Sequence, residues 1–345
     1  MYNLFLREGI DEISSVDSLQ FDIGTIKVAT DNFSAANELG KGGLGIVYKG
    51  ELPNGQEIAV KRLSKASQQG DIEFKNEVEL LATLQHRNLV RLLGFCLEGK
   101  ERLLVYEFVP NASLEKFIFD PNKSALMNWE LHHKIIEGIA RGLLYLHEDS
   151  RLCIIHRDLK ASNILIDANM NRKISDFGTA RLFVLDQTQG NVSKIVGTFG
   201  YMTLEYVMHG QFSIKSDVFS FGMLVLEIVS GKKINSSFEG ENEASGLLSY
   251  AWKNWRKGTT SNLVDARSKA RSTTQIMRCI HIGLLCVQES VANRPTMATI
   301  VLMFNSHSIT LPVSKRPTFL MHSTRSSNVS SQLENGVGVR RPDRR

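Results

Sequence analysis

The spacing of apolar residues changes about a third of the way along the chain, and this change constrains the fold more than any other feature. Residues 38–107 carry short β-like runs, such as 57–61 and 102–107, which are separated by turn residues. One helical stretch interrupts them, with apolar residues every three or four positions from Phe74 to Leu84. The sequence therefore predicts a small β-rich N-terminal lobe with one main helix.

The remainder of the chain is predominantly helical. Apolar residues recur at helical spacing from Leu131 to Leu146, and residues 215–230 are apolar on nearly every side, as in a helix at the centre of a lobe. We therefore predict an α+β, bilobal fold with a cleft between its lobes. The N-terminal lobe is expected at about 33–109, and a larger, mainly helical C-terminal lobe at about 110–305.

Both ends of the chain are expected to lie outside this folded part. Residues 1–32 are polar and mixed, and we interpret them as a leader, similar to a juxtamembrane segment, that packs loosely on the lobe that follows. Residues 306–345 are rich in Ser, Asn and Arg and are predicted to form a disordered basic tail. This tail carries the whole net charge of +5, so a nucleic-acid-binding face on the body of the protein has no support. The tail could contact acidic lipid, although a solvated end is the plainer interpretation.

Cysteine usage and hydropathy limit the class of protein further. None of the four cysteines forms a CxxC pair, which disfavours both a zinc site and a disulfide framework. No run approaches the about 18 apolar residues of a membrane span, and Tyr2 stands where N-myristoylation requires glycine. These features predict a cytoplasmic chain, with the inner face of the plasma membrane as the other location that we consider.

A glycine-rich stretch is the first candidate for phosphate binding. Gly40, Gly42 and Gly45 form the pattern G-x-G-x-x-G-x-V that ends at Val47, with a further glycine at Gly43. Glycine lets the backbone close over phosphates, and its N–H groups can face the oxygen atoms. The pattern alone is weak, because any glycine-rich hairpin turn matches it. A dinucleotide fingerprint needs a helix after the third glycine, whereas the residues here are β-like, so we predict a β-hairpin flap.

Lys61 and Glu77 form a second candidate element. Lys61 ends an apolar β-like run, and Glu77 lies 16 residues later on the predicted helix. Either residue alone would be ordinary on a protein surface. Together they predict an ion pair that directs the ammonium at the α- and β-phosphates of a nucleotide.

The run HRDLKASN at residues 156–163 is far more specific. Asp158 can accept the proton of an incoming hydroxyl, Lys160 can neutralise charge on a transferred phosphoryl group, and Asn163 offers a neutral oxygen to Mg²⁺. The run DFG begins at Asp176, whose carboxylate could link Mg²⁺ to the β- and γ-phosphates. The combination predicts transfer of a phosphoryl group from a nucleotide to a hydroxyl.

In this order and at these spacings, the motifs resemble the protein-kinase signature over roughly residues 35–305. The resemblance implies a bilobal kinase fold, ATP with Mg²⁺ (or Mn²⁺), and protein substrates modified at serine or threonine, which Lys160 supports. Four runs are most similar to plant receptor-like kinases of the cysteine-rich group: LQHRNLV at 84–90, GLLYLH at 142–147, SDVFSFG at 216–222 and CIHIGLLCVQ at 279–288.

The resemblance also implies how a nucleotide would be bound. Val47 and Ala59 would cover the adenine, Leu165 would lie beneath it, and Tyr106 would be the gatekeeper, followed by backbone groups of the hinge. The full implied set is Gly40, Gly42, Gly43, Gly45, Val47, Ala59, Lys61, Tyr106, Glu107, Val109, Leu165 and Asp176.

A regulatory set follows from the same resemblance. Arg157 would engage a phosphate on the activation loop, Thr198 would contact Asp158, and the activation segment at 176–205 offers several hydroxyl groups, of which Ser193 is the preferred phosphosite. A buried ion pair would anchor the end of this segment, and Asp217 would hold the backbone of the catalytic loop. The regulatory residues are Arg157, Thr188, Ser193, Thr198, Glu205 and Arg294.

The sequence departs from the family pattern in three ways. The ectodomain and membrane helix that usually precede such a domain do not occur in it, Leu44 replaces a usual Phe in the flap, and Leu204 replaces the proline of Ala-Pro-Glu. Because proline fixes φ, Leu204 should loosen the activation segment and reduce activity without removing a catalytic group.

Three functions remain open from the sequence. The first is an active serine/threonine kinase in plant receptor signalling, with receptor-kinase partners. The second is a pseudokinase-like scaffold that binds ATP, which the loosened segment would favour. The third is a small-molecule phosphotransferase, which would lack Thr198 and the Glu205–Arg294 pair.

Overall fold

The computed structural model describes residues 20–42, 45–64, 68–124, 127–183, 189–236, 246–265, 273–306 and 308–317. The chain divides into two compact units. The first runs to Pro110 and includes Asp176–Gly178, and the second comprises Asn111–Ser175 and the residues from Thr179 onward. The first unit is built on a β-sheet and the second is mainly helical, so the predicted α+β, bilobal fold class is confirmed.

A five-stranded antiparallel sheet forms the centre of the first unit, with the strand order β1-β2-β3-β5-β4. Its hairpins follow the turn residues that interrupt the β-like runs of the sequence. The strands are β1 (Glu38–Gly42), β2 (Gly45–Glu51), β3 (Glu57–Leu63), β4 (Leu92–Glu98) and β5 (Glu101–Glu107).

The two faces of this sheet carry different side chains. Because successive residues of a strand point to opposite faces, β3 directs Ile58 and Val60 to one face and Lys61 to the other. Helix α2 (Gln68–Leu81) covers the Lys61 face. There the rings of Phe74 and Phe95 meet edge to face, with their centroids 5.9 Å apart.

The opposite face is covered by residues that precede the sheet. Helix α1 (Ile23–Ala29) begins after Asp22, whose carboxylate caps the first turn, and it buries Ile26 completely against Ile58 and Val60. The N–H of Phe21 donates to the carbonyl of Phe95 at 2.8 Å. The predicted loose packing of the leader therefore does not describe residues 20–32. The reason is that one apolar face of the sheet needs cover, which this short helix provides.

The second unit contains most of the helices and three two-stranded antiparallel pairs, β6–β9, β7–β8 and β10–β11. Its helices are α3 (Leu114–Phe119), α4 (Pro121–Ser124), α5 (Trp129–Leu144), α6 (Leu204–His209), α7 (Ile214–Ser230), α8 (Leu247–Lys257), α9 (Thr273–Cys286) and α10 (Met297–Asn305). Its strands are β6 (Cys153–Ile155), β7 (Ile164–Ile166), β8 (Arg172–Ile174), β9 (Arg181–Phe183), β10 (Gln189–Asn191) and β11 (Gln211–Ser213).

Helix α7 is the buried helix that the sequence predicts. Ser213 and Ser216 form a capping box at its start, and its residues from Ser216 to Ser230 are all buried. A Cβ added to Gly222 would lie 2.8 Å from the carbonyl oxygen of Gly283 on α9, so glycine allows the close approach of these helices. None of the helices in the described part of the chain combines the length and apolar character that crossing a membrane requires.

The beginning of the predicted disordered tail is bound to the second unit. Arg278 on α9 donates to the carbonyl of Ile309 at 3.1 Å, and the N–H of Lys315 donates to the side chain of Gln288 at 3.1 Å. The prediction of disorder is therefore wrong for residues 308–317, whose backbone groups are hydrogen-bonded by polar side chains of the second unit. The rest of the predicted tail lies outside the described residues.

Candidate active site

The glycine-rich stretch forms the predicted β-hairpin. Strands β1 and β2 pair antiparallel, with Gly42 opposite Gly45. A Cβ on Gly45 would lie 2.2 Å from the carbonyl oxygen of Arg62, so only glycine allows β2 to approach β3 at this position. Gly40 lies on β1, whereas Gly43 at the tip of the predicted flap lies outside the described residues.

Lys61 lies between two carboxylates of the first unit. Its Nζ donates to Glu77 Oε1 at 2.5 Å and to Asp176 Oδ1 at 2.8 Å. Burial alone would lower the pKa of the Lys61 ammonium, but the charges of Asp176 and Glu77 outweigh burial and raise this pKa. The side chain of Glu77 is fully buried. The lysine therefore stays charged and has a fixed direction, as the predicted ion pair requires.

Tyr106 completes the surroundings of Glu77. Its phenol donates a short hydrogen bond to the second carboxylate oxygen of Glu77. Burial, together with the negative charge of Glu77, raises the pKa of the phenol well above its usual value, so the hydroxyl keeps its proton. Both oxygens of Glu77 are thus engaged, and Tyr106 has a polar role that the sequence alone did not indicate.

Helix α2 also fixes the backbone beside Asp176. The amide of Asn76 donates to the carbonyl of Gly178 at 3.0 Å. A Cβ on Gly178 would lie 3.1–3.3 Å from atoms of the Glu73 side chain, so glycine suits this close approach. Asp176 itself adopts a left-handed backbone conformation with φ of 66°. Strain of this kind persists only where surrounding contacts hold it.

The remaining residues of the predicted nucleotide set are divided between the two units, and all but Val109 lie on strands. Val47 lies opposite Lys61, and Ala59 lies opposite Tyr106. The N–H of Glu107 donates to the carbonyl of Arg91 at 3.1 Å at the end of β5. Of the other two predicted contacts, Val109 is buried in the first unit and Leu165 lies on β7 of the second.

Asp158 is the centre of a compact polar cluster in the second unit. Its Oδ1 accepts from the hydroxyl of Thr198 at 2.7 Å, and its Oδ2 accepts from Lys160 at 2.8 Å and from the Asn163 amide at 3.2 Å. Lys160 also donates to the Thr198 hydroxyl at 2.8 Å. The sequence placed these four residues in one site, and the structure brings them together.

Asp217 on α7 holds the backbone that presents Asp158. Its carboxylate accepts from the N–H of His156 at 2.7 Å and from the N–H of Arg157 at 2.9 Å. Burial alone would raise the pKa of this carboxyl, but the hydrogen bond and charge of His147, with these further contacts, lower it. Asp217 therefore stays ionised inside the unit and fixes the backbone of His156 and Arg157, directly before Asp158.

Arg157 is buried, and its guanidinium contacts neutral groups. Its Nη1 donates to the carbonyl of Thr179 at 3.0 Å and its Nη2 donates to the hydroxyl of Tyr206 at 2.6 Å. The guanidinium also lies 4.6 Å from the ring centroid of Phe212. Its Nε has no hydrogen-bond partner among the described residues. The sequence analysis did not single out Tyr206. Its position directly after Glu205, a predicted regulatory residue, was the one feature that could have drawn attention to it.

The predicted phosphosites differ in what the structure says of them. Ser193 is exposed, whereas Thr198 is engaged by Asp158 and Lys160. Thr188 lies outside the described residues. A hydroxyl must be accessible to be phosphorylated, and of these three groups Ser193 satisfies this condition in the described part of the chain.

The end of the activation segment is anchored by an ion pair. Arg294 Nη1 donates to Glu205 Oε1 at 2.6 Å and Nη2 donates to Glu205 Oε2 at 3.2 Å, with the arginine side chain fully buried. This fork-to-fork geometry is the strong form of an arginine–carboxylate contact. Leu204 is the first residue of α6, and Thr203 caps that helix through its side chain.

The metal-ligating chemistry of the site is limited to a few oxygen atoms. Within the described ranges, no group of three or more His, Cys, Asp or Glu side chains could hold a metal ion by itself. Asn163 offers an amide oxygen and Asp176 a carboxylate, which are ligand types that Mg²⁺ accepts. Mg²⁺ usually takes only one or two protein oxygens together with substrate phosphates and water, so each of these oxygens, considered separately, is chemically suited to Mg²⁺ that arrives with a nucleotide.

Comparisons with known proteins agree with this geometry. A family model described as protein tyrosine and serine/threonine kinase matches residues 33–304. Among the similar proteins of Arabidopsis thaliana, cysteine-rich receptor-like protein kinase 29 is 61% identical over 94% of this chain and 48% of its own length. Cysteine-rich receptor-like protein kinase 10 is 62% identical over 91% of this chain and 47% of its own. The chain thus spans about half the length of these relatives, and it belongs to the protein tyrosine and serine/threonine kinase family.

Proposed function

We propose that this chain transfers the γ-phosphoryl group of ATP to serine and threonine hydroxyls of protein substrates, as part of receptor-type signalling in a plant. The observation that carries the proposal is the cluster around Asp158. An ionisable carboxylate, a lysine ammonium and an amide meet there at hydrogen-bond distances. Membership in the kinase family and the names of the relatives support the same reaction class.

The nucleotide is bound, in this proposal, through the residues of the sequence-derived set. Lys61, which Glu77 and Asp176 hold as a charged group, contacts the α- and β-phosphates. Val47 and Ala59 cover the adenine, Leu165 lies beneath it, and backbone groups of Glu107 and Val109 bind its edge. Asn163 and Asp176 would hold Mg²⁺, which would supply positive charge to offset the negative charge of the phosphates. Mn²⁺ could replace it at the same oxygens.

The transfer step uses the residues of the second unit. The substrate hydroxyl oxygen forms a bond to the γ-phosphorus while the bond to the β–γ bridging oxygen breaks and ADP leaves. The hydroxyl proton passes to the carboxylate of Asp158, and the ammonium of Lys160 stabilises the negative charge on the transferred group. Thr198 and Lys160 fix the direction of that carboxylate, so it does not need to reorganise during transfer.

Serine and threonine are the proposed acceptors because Lys160 occupies the position two residues after Asp158. Its ammonium joins Asp158 and Thr198 in one hydrogen-bonded group. We also propose that Ser193 is phosphorylated, that Arg157 engages a phosphate on the activation segment, and that the chain is cytoplasmic, with the inner face of the plasma membrane as the second location. The two relatives described above are named receptor-like kinases, which supports the signalling role.

The test is phosphoryl transfer from labelled ATP with Mg²⁺ to a generic acceptor protein. We expect Asp158→Asn to lower kcat by roughly 10²- to 10⁴-fold, because the amide keeps the size of the side chain but cannot accept the proton. Lys61→Met should raise the KM for ATP and lower kcat. Exposed residues supply matched controls: Asp149→Asn and Lys100→Met make the same chemical changes and should leave both constants within about twofold.

The outcome separates an active kinase from a scaffold. If the wild-type chain binds ATP but transfers no more phosphate than Asp158→Asn, the proposed reaction is wrong. Phosphoamino-acid analysis of the product tests the acceptor preference. Phosphotyrosine as the main product would contradict the role given to Lys160.

A further inference from the structure

Tyr206 on α6 places one hydroxyl group between two segments of the second unit. This hydroxyl accepts from Arg157 Nη2 at 2.6 Å and from the N–H of Val196 at 3.1 Å, and it donates to the carbonyl of Val196 at 3.0 Å. One donated bond and two accepted bonds use the whole capacity of a tyrosine hydroxyl. The residue is 3% exposed, so water cannot replace these bonds easily.

Each partner of this hydroxyl is close in sequence to one member of the Asp158–Thr198 contact. Arg157 directly precedes Asp158, and Val196 lies two residues before Thr198. The hydroxyl of Thr198 donates to Asp158 Oδ1 at 2.7 Å. The Tyr206 hydroxyl therefore ties together the two chain segments whose side chains must meet at Asp158.

The backbone at Arg157 needs such a tie. Its φ of 68° lies in the left-handed region, which is unfavourable for a residue with a long side chain. Asp217 holds its backbone N–H, and Thr179 and Tyr206 hold its guanidinium. Strained conformations persist where several contacts fix them together, so loss of one contact should let the residue relax and move the adjacent Asp158.

The aromatic ring and the hydroxyl of Tyr206 have separable roles. The ring packs edge to face on Phe212, with the centroids 6.2 Å apart, and this contact does not involve the hydroxyl. The three hydrogen bonds involve only the hydroxyl group. A change to phenylalanine therefore removes the tie between the segments and leaves the ring contact in place.

We propose that the Tyr206 hydroxyl is a positioning group for phosphoryl transfer, which holds Thr198 against Asp158 by fixing Arg157 and Val196 to one point. The inference rests on the proposed function, because it concerns the rate of that reaction. The Tyr206 hydroxyl is a neutral hydrogen-bond partner for the Arg157 guanidinium inside the second unit. Holding Thr198 against Asp158 in this way therefore does not require a charged group on the activation segment.

The experiment compares Tyr206→Phe with the wild-type chain after phosphatase treatment, in the transfer assay described above. We expect kcat to fall about tenfold with the KM for ATP changed by less than about twofold, because the nucleotide contacts of the first unit are untouched. The variant Ile280→Val serves as a control for general loosening, because it trims a fully buried residue of a different helix, α9. This control should leave kcat within about twofold of the wild-type value, even if it lowers the melting temperature as much as Tyr206→Phe does.

A double-mutant cycle with Thr198→Ala distinguishes positioning from a merely structural role. If the hydroxyl acts through the Thr198–Asp158 contact, Tyr206→Phe should lower kcat by less than about twofold in the Thr198→Ala background. Should Tyr206→Phe fail to fold, Arg157→Gln removes the guanidinium that donates to the Tyr206 hydroxyl. Its effect on kcat should likewise be smaller in the Thr198→Ala background.

Three results would overturn the proposal. The first is a kcat for Tyr206→Phe within about twofold of wild type, and the second is an equal loss in both backgrounds of the cycle. In either case the proposed function stands as long as the wild-type chain transfers more phosphate than Asp158→Asn. The third is a wild-type rate no higher than that of Asp158→Asn, which overturns the proposed function together with this inference.

Discussion

Replacing Leu204 by proline tests how firmly the end of the activation segment is anchored. Leu204 is the first residue of α6, a position where the backbone N–H has no acceptor within the helix and where proline is favoured. The preceding residue, Thr203, has φ of −78° and ψ of 157°, which is the extended conformation that a following proline requires. Leu204→Pro should therefore fit the native backbone without strain.

The expected gain in stability is small. A compatible proline stabilises a protein by about 0.4–1 kcal/mol because it restricts the unfolded chain. Loss of part of a half-buried leucine side chain offsets roughly 0.5 kcal/mol of this gain. The melting temperature should rise by no more than about 2–3 °C. Since the Glu205–Arg294 pair and the Thr203 cap already anchor the helix, the rate of phosphoryl transfer should rise by no more than about twofold.

The assay combines thermal unfolding, limited proteolysis of residues 189–205 and the transfer rate. Val207→Pro is the matched control, because the N–H of Val207 donates to the carbonyl of Thr203 at 3.0 Å and a proline would remove that bond. It should cost about 3 kcal/mol and speed cleavage of the segment. A melting temperature that falls by more than about 2 °C for Leu204→Pro, or a transfer rate that rises tenfold, would contradict the placement of this residue at an unstrained helix start.

Three further predictions concern burial and charge. Ile26→Ala should destabilise the protein by about 2–5 kcal/mol in urea unfolding, because Ile26 is fully buried. Val28→Ala, on the exposed side of α1, should change the free energy of unfolding by less than about 0.5 kcal/mol. Equal effects of the two substitutions would mean that α1 does not cover the sheet. Burial raises the pKa of Glu227 to about 8, so the folded state keeps a proton that the unfolded state releases, and stability should fall as pH rises from about 5 to about 8. Glu227→Gln should flatten this dependence of the urea midpoint, and an unchanged slope would assign the dependence to another group. Glu205→Gln leaves the guanidinium of Arg294 buried without its carboxylate and should cost about 3 kcal/mol in thermal unfolding; a shift of the melting temperature below about 1 °C would show that the pair is not needed.

Local chemistry in the sequence was sufficient to predict the fold class and to single out the residues that cluster around Asp158. The change from β-like to helical spacing reflects side-chain burial on one face of each element, which depends on neighbours in sequence. Lys61 and Glu77 were predicted as an ion pair, and in the structure Lys61 Nζ lies 2.5 Å from Glu77 Oε1. The prediction for the ends of the chain was poorer, because polar composition does not reveal that a short segment such as residues 20–32 is needed to cover a distant apolar surface.

Taken by itself, the sequence determined which residue types are available for phosphoryl transfer and in what order they occur, since motifs of this kind depend on chemical identity and spacing. Only the tertiary structure decided which groups share hydrogen bonds. The Tyr106 phenol meets Glu77, and the Tyr206 hydroxyl joins Arg157 to Val196, although the residues in each set are far apart in sequence. Such contacts depend on how helices and strands pack, and burial then makes them strong and specific, because a buried polar group left without a partner is costly.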